Sequence, residues 1–423
     1  VGTIDGPFNE QLRQLARLGI HRGVNLQQGQ GLLLSAPVEA AFLADLVTEE
    51  AYRAGAKDVY VIWQNDETNR LRLKYAPMTA LENIPQWQLN VQNQSVKDDY
   101  AVLSIYGPNA DLFDGIDEQR IAAQTKARGR GLIPYYEYMM NDRIQWSIIS
   151  YPTSAWAHKV FPDKRIAEAQ KELMKEILRI SRVSSDSDPL DVWDHHNQKL
   201  HRAADFLNKQ AFKQLHYRSE GTDLTIELPN GHIWSGGSGP SEADVWFNAN
   251  IPTEEVFTLP DKRGVNGTVA SKMPLNCNGQ IIDHFSLTFK DGEVVSFHAE
   301  KGEEALRHLL ASDEGAVRLG EVALVPHRSP VSESGLIFYN TLFDENASCH
   351  LALGKAYPTC IKNGSSMSLE ALDHAGVNDS IIHEDFMIGS ADLSIDGIQT
   401  DGTSIPVFRD GEWAIDFPRE STV

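Results

Sequence analysis

A chain of 423 residues, 41% apolar and 23% charged, has enough material for two or three soluble domains and a sizeable core. Its 38 basic residues against 59 acidic ones leave a formal charge of −21, which argues against nucleic-acid backbones and anionic membranes as partners. Three cysteines, Cys277, Cys349 and Cys360, none in a CxxC spacing, cannot build a disulfide framework and point to a reducing compartment.

The opening residues show no basic-then-apolar leader pattern, and no uncharged apolar run reaches about 18 residues. A cytoplasmic protein without a transmembrane helix is expected. Downstream, GLLLSAP (31–37) reads as a strand, 38–55 as an amphipathic helix closed by Gly55, and DVYVIW (58–63) as the next strand, a βαβ unit. Strands at 100–107 and 145–152 alternate with further helical runs, so the N-terminal region is predicted as an α/β domain with a mostly parallel sheet. The glycines of QGQGLLL precede their strand instead of following one, which removes a phosphate-loop reading.

Two helices are predicted at 163–181 and 188–210, and the Ser/Asp cluster between them sets the domain boundary: residues 1–186, then 187–423. His195, His196 and His201 in WDHHNQKLH do not share a helix face and are read as solvated or interface histidines. From residue 222 the pattern turns to short strands. Hairpins are predicted at 222–237 around Pro229-Asn230-Gly231 and at 281–299 around Lys290-Asp291-Gly292. With a helix at 303–315 and turn-punctuated strands near the end, the second domain is predicted as α+β with antiparallel pairing.

The chemistry concentrates between residues 334 and 385. His350, Tyr357, His383 and Asp385 lie there, with Glu255 and Glu321 upstream, and all six are ligand types for a borderline divalent cation. His383-x-Asp385 suits a strand, where residues two apart share a face; His350 and Tyr357, seven apart, would share a face if helical. Taken singly, each has a structural explanation: core packing for Tyr357 and His350, a surface loop for Glu254 and Glu255. Cys349 reads as a small buried residue beside the site. Asp344, Glu345, Asn346 and Glu384 are candidates for orienting the histidines.

The strings NIPTEEVFTLPD, LGEVALVP, FYNTLFDENASCHLALGKAY, HEDFMIGS and IDGIQTDGTSIPVF, in that order over residues 221–417, closely resemble the M29 family of metalloaminopeptidases, the aminopeptidase T, AmpS and PepS type. The resemblance implies metal ligands at Glu255, Glu321, His350, Tyr357, His383 and Asp385, carried by the C-terminal domain. It implies two divalent ions (zinc, cobalt or manganese), a homodimer, and short peptides with a free N-terminus as substrates. In such a site Glu321 and Tyr357 join the catalytic apparatus, Tyr357 as ligand or oxyanion donor, and Glu254, next to a ligand, is the candidate general base. Two rivals stand beside this reading. One is a mononuclear non-haem iron ring-cleaving dioxygenase using His350, His383 and Asp385; the other is a non-catalytic dimeric binding protein.

Overall fold

The run GLLLSAP forms β1 (Gly31–Pro37), with Leu32 and Leu34 buried in one core and Leu33 in another, as a strand covered on both faces requires. Beside it run β2 (Asp58–Gln64), β3 (Tyr100–Tyr106) and β4 (Trp146–Ser150), all parallel, in the order β2-β1-β3-β4. Helices Asn9–Leu18 and Ala41–Arg53 bring Leu12, Leu15, Leu43 and Val47 to one core; Gln86–Lys97 and Ile133–Met140 bring Leu89, Val96 and Tyr135 to the other. The expected parallel α/β sheet is present.

The computed structural model describes residues 6–277, 280–415 and 417; the first five residues, on which part of the leader reading rests, lie outside them. The chain divides into two units, Val1–His195 with Ser238–Pro252, and His196–Gly237 with Thr253–Val423. The division passes within the helix Pro189–Gln210, and the Ser/Asp cluster is the turn that leads into that helix. No helix among the described residues is long and apolar enough to cross a membrane.

In the second unit the chain builds two sheets. Strands β5 (Gln214–Ser219) and β6 (Thr222–Glu227) form a hairpin, and β7 (Ser235–Gly236) follows. After β8 (Gly239–Pro240) and β9 (Trp246–Phe247), a ribbon of the first unit, come β10 (Val256–Thr258), β11 (Val265–Ala270), β12 (Leu275–Cys277), β13 (Gln280–Lys290) and β14 (Glu293–Lys301). The remaining strands are β15 (Leu319–Leu324), β16 (His350–Gly354), β17 (His383–Met387), β18 (Ser394–Ile398), β19 (Ser404–Arg409) and β20 (Glu412–Trp413). A nine-stranded sheet runs β12-β13-β11-β6-β5-β18-β19-β20 with β14 on β13, and a five-stranded sheet runs β17-β16-β15-β10-β7. All pairs within them are antiparallel.

The turn Lys290–Glu293 closes the predicted hairpin, with Asp291 and Gly292 both at positive φ as a tight two-residue connection demands. The hairpin predicted over 222–237 does not form. Strand β6 pairs with β5 and β11, whereas β7 pairs with β10 in the other sheet. The Pro-Asn-Gly signal sits in a loop that changes sheets, held by the Ile233 amide donating to the Cys360 carbonyl. Local turn chemistry was right; the partner was not.

Candidate metal centre

Strand alternation in the five-stranded sheet separates a dry face from a polar one. Val322, Leu324, Leu351, Leu353 and Phe386 enter the hydrophobic core. Their neighbours Glu321, His350, His383 and Asp385 therefore project from the opposite face. Register aligns them: Ala352 lies opposite both Glu321 and Asp385, Gly354 opposite His383, and Ala323 opposite His350. The small residues Ala323 and Ala352 leave room between the polar side chains. Glu255 immediately precedes β10, in which Phe257 pairs with Ala323, so the two-residue period brings Glu255 to the same face.

The result is a tight, buried cluster. His350 is 1% exposed, Glu321 5%, and Glu255 and Asp385 8% each. His350 Nε2 stands 3.1 Å from Glu255 Oε2 and 3.8 Å from Glu321 Oε1. His383 Nε2 stands 3.3 Å from Glu321 Oε2 and 3.5 Å from Asp385 Oδ1. Two groups that could each hold an ion emerge, Glu255-Glu321-His350 and Glu321-His383-Asp385, with ligand atoms within 4.8 Å of one another in each. Glu321 belongs to both.

The histidines are aimed by backbone carbonyls. His383 Nδ1 lies 2.7 Å from the Lys355 oxygen and His350 Nδ1 3.3 Å from the Ser348 oxygen. A carbonyl only accepts, so each Nδ1 carries a proton and each Nε2 is the nitrogen turned toward the cluster. The side chains expected to orient the histidines do other work. Asp344 accepts from the Phe338 and Asn340 amides, Asn346 accepts from the Glu254 amide, and alternation places Glu384 on the opposite face, across from Leu353. His350 and Tyr357 do not share a helix: His350 opens β16 and Tyr357 precedes a short turn at Pro358–Cys360. Tyr357 still reaches the cluster, its ring 5.0 Å from that of His383. Cys349 points the other way, bonds the Val325 backbone, and has its thiol pushed up to about 12 by burial.

The donor set fits a divalent metal. Three carboxylates and two imidazoles converge where water is largely excluded, and Asp385 Oδ1 has no hydrogen-bond partner. Burying carboxylates without counter-charge costs several kcal/mol per ion, roughly, so a set of this sign and ligand type calls for cations.

A family model described as "Thermophilic metalloprotease (M29)" matches residues 8–413. The chain belongs to the M29 family of metalloproteases. It is 52% identical to "Aminopeptidase 2" of Geobacillus stearothermophilus over 97% of this chain and 99% of that one. It is 47% identical to "Aminopeptidase AmpS" of Bacillus subtilis (strain 168) over 96% and 99%. A solved structure titled "Wild-type AmpT from Thermus thermophilus" superposes with a TM-score of 0.91 at 38% identity, covering 96% of this chain and 100% of that one. The protein is thus an enzyme, a peptide hydrolase of the metalloprotease class, and the reading of it as a non-catalytic binding protein falls.

The electrostatics of the M29 site follow from its burial. Burial alone would lower the pKa of His350, but its hydrogen bond to Glu255 and the negative charges of Glu255, Asp385 and Glu321 outweigh it and raise the value to about 10. His383 moves up for the same kind of reason, beside Tyr357, Asp385 and Glu321. Glu321 is raised by burial against the pull of His383. At Tyr357 the His383 charge pulls downward, yet burial and the carboxylates Glu321, Asp385 and Glu345 win, and the phenol keeps its proton. Glu345, from the turn after helix Thr341–Asp344, is raised well above its ordinary value by burial and by Asp385 and Glu255. It is therefore a further carboxylate within reach of the cluster's field. Glu254 has its Oε2 3.8 Å from His196 Nε2. Of the histidines read as solvated or interface residues, His195 is exposed and bonds back to the Asp191 carbonyl, whereas His196 is buried.

Proposed function

We propose that this M29 protein is an aminopeptidase that releases N-terminal residues from short peptides using two divalent ions, zinc, cobalt or manganese. Glu255, Glu321 and His350 would hold one; Glu321, His383 and Asp385 the other, with Tyr357 at the second position. The observation that carries this reading is Glu321, whose two carboxylate oxygens face two different imidazoles, the geometry a bridging ligand needs. When bound, the ions polarise the scissile carbonyl, acidify a water and offset the negative charge of the carboxylates.

The chain's own residues do the rest. The lone pairs of His350 and His383 are set by the Ser348 and Lys355 carbonyls. Tyr357 either serves as a ligand at the second position or, with its phenol protonated, supplies a hydrogen-bond donor suited to a developing oxyanion. A carboxylate beside the ligands must take the proton from water and pass it to the leaving amine. Glu254 is the candidate from sequence, and Glu345 is a second buried carboxylate, raised by burial and by its neighbours Asp385 and Glu255. Glu254→Gln and Glu345→Gln, assayed side by side, assign that role to whichever loses turnover while keeping its metal. A cytoplasmic homodimer, with the site carried by a domain spanning residues 187–423, completes the reading.

Iron-dependent ring cleavage is not favoured. It needs His350, His383 and Asp385 on one ion, but the two histidines fall into different ligand groups.

The test is hydrolysis of free and N-acetylated aminoacyl-anilides and dipeptides by chelator-stripped protein, with zinc, cobalt or manganese added back. Metal-restored release from free N-termini alone is expected. Equal cleavage of acetylated substrates, or full activity without metal, would overturn the proposal.

A further inference from the structure

We propose that His196 and Asn346 are positioning residues that grip both polar ends of the Thr253–Glu254 peptide and thereby set the direction in which Glu255 leaves the chain. This rests on the reading of Glu255 as a metal ligand.

Regular ladder pairing of β10 begins at Val256, so the residues just before it take their orientation from elsewhere. His196, 8% exposed on the helix Pro189–Gln210, places Nε2 2.7 Å from the Thr253 carbonyl oxygen. Since a carbonyl only accepts, Nε2 carries the proton. Asn346, fully buried after helix Thr341–Asp344, places Oδ1 2.6 Å from the Glu254 amide nitrogen. Its Nδ2 donates to the Leu342 carbonyl at 2.8 Å, which settles which end of the amide is which. The Thr253 carbonyl and the Glu254 amide belong to one planar peptide unit. Two buried side chains from distant parts of the chain therefore hold one plane at both ends, fixing ψ of Thr253 and φ of Glu254.

The next residue is Glu255, with Oε2 3.1 Å from His350 Nε2. A turn of the gripped plane would swing that carboxylate, and misplacements near 1 Å can cost on the order of 10²-fold in activity. His196 Nε2 also lies 3.8 Å from Glu254 Oε2, so the same imidazole edge limits where Glu254 points. The clamp thus aligns both glutamates of the PTEEVF motif.

The test compares His196→Phe, which fills the space without donating, with His196→Gln, whose amide can still donate to Thr253. Two readouts are taken on full-length protein: backbone amide exchange over Glu254–Val256 without metal, and the affinity for each equivalent of cobalt(II). His196→Phe is expected to speed exchange in that segment and to weaken one of two cobalt equivalents by roughly 10- to 100-fold. His196→Gln is expected to stay within a few-fold of wild type on both. A folded His196→Phe with native exchange and native affinity overturns the proposal. So does equal loss in Phe and Gln, which would make His196 a packing residue. Asn346→Leu repeats the test from the other end of the peptide should His196→Phe not fold. A wild type that takes up no cobalt contradicts the metal reading itself, while the exchange arm still judges the clamp.

Discussion

At the scale of single residues, Glu321 is where the account is most exposed. Each of its oxygens faces a different histidine, so Glu321→Ala should weaken both ion equivalents and lower kcat/KM by on the order of 100-fold or more. Glu384→Ala, on the opposite face, should leave ion affinity near wild type; calorimetric metal titration of both variants checks the contrast. A pH dependence follows with a definite sign. His350, raised from 6.5 to about 10 in the ion-free protein, stabilises that protein below about pH 6.5 and loses the contribution as pH rises through about 10. An ion must displace the same proton, so its apparent affinity should climb between pH 7 and 10, by up to about tenfold per unit for each proton released. An affinity that is flat or falls over that range would contradict the assignment. Part of the clustering was legible in the sequence: His383-x-Asp385 suited one face of a strand, whereas Glu255, Glu321, His350 and Tyr357 were singled out by the family resemblance and not by their spacing. What was not legible were the partners that hold that face: the Lys355 and Ser348 carbonyls have no side-chain signature, and His196 looked like any helical histidine.

At the scale of elements, the site depends on the irregular end of β15. Register shifts between Leu319 and Glu321 where Gly320 interrupts the pairing with β16. Such a bulge twists the strand and re-aims the residue that follows, here Glu321. A side chain at Gly320 would put its Cβ 2.4 Å from both the Gly354 and Lys355 carbonyl oxygens, and the latter is the one that aims His383. Gly320→Ala should therefore cost about 1–3 kcal/mol of stability and weaken metal binding as well; a lowered Tm with unchanged affinity would show that the bulge serves only packing. Turn signals in the sequence had uneven value for the same physical reason. Lys290-Asp291-Gly292 joins strands that pair with each other, so local chemistry was sufficient. Pro229-Asn230-Gly231 joins β6 to β7, which pair in different sheets, β6 with β5 and β11 and β7 with β10, so local turn chemistry could not name the partner. The seven-residue spacing of His350 and Tyr357 misled because two turns of helix and a strand plus a loop cover it equally well.

At the scale of the whole molecule, the buried carboxylates make stability conditional on metal. In the proposed two-ion site the native state would bind the ions while the unfolded chain lacks the preformed cluster, so saturation at about 100 times Kd should add about 2.7 kcal/mol per site. Thermal unfolding should shift upward with zinc or cobalt and downward with chelator, and a Tm indifferent to both would argue that nothing binds. For the proposed homodimer, sedimentation equilibrium should give twice the 47.1 kDa chain mass. The most direct test of the central claim is metal content against turnover: metal-free protein is loaded stepwise with cobalt(II), and bound equivalents and release of N-terminal residues are measured on the same samples. Activity that rises to its maximum as the second equivalent per chain is filled, and that is lost in Glu321→Ala, is the predicted result. Full activity with one equivalent or none would contradict a two-ion site.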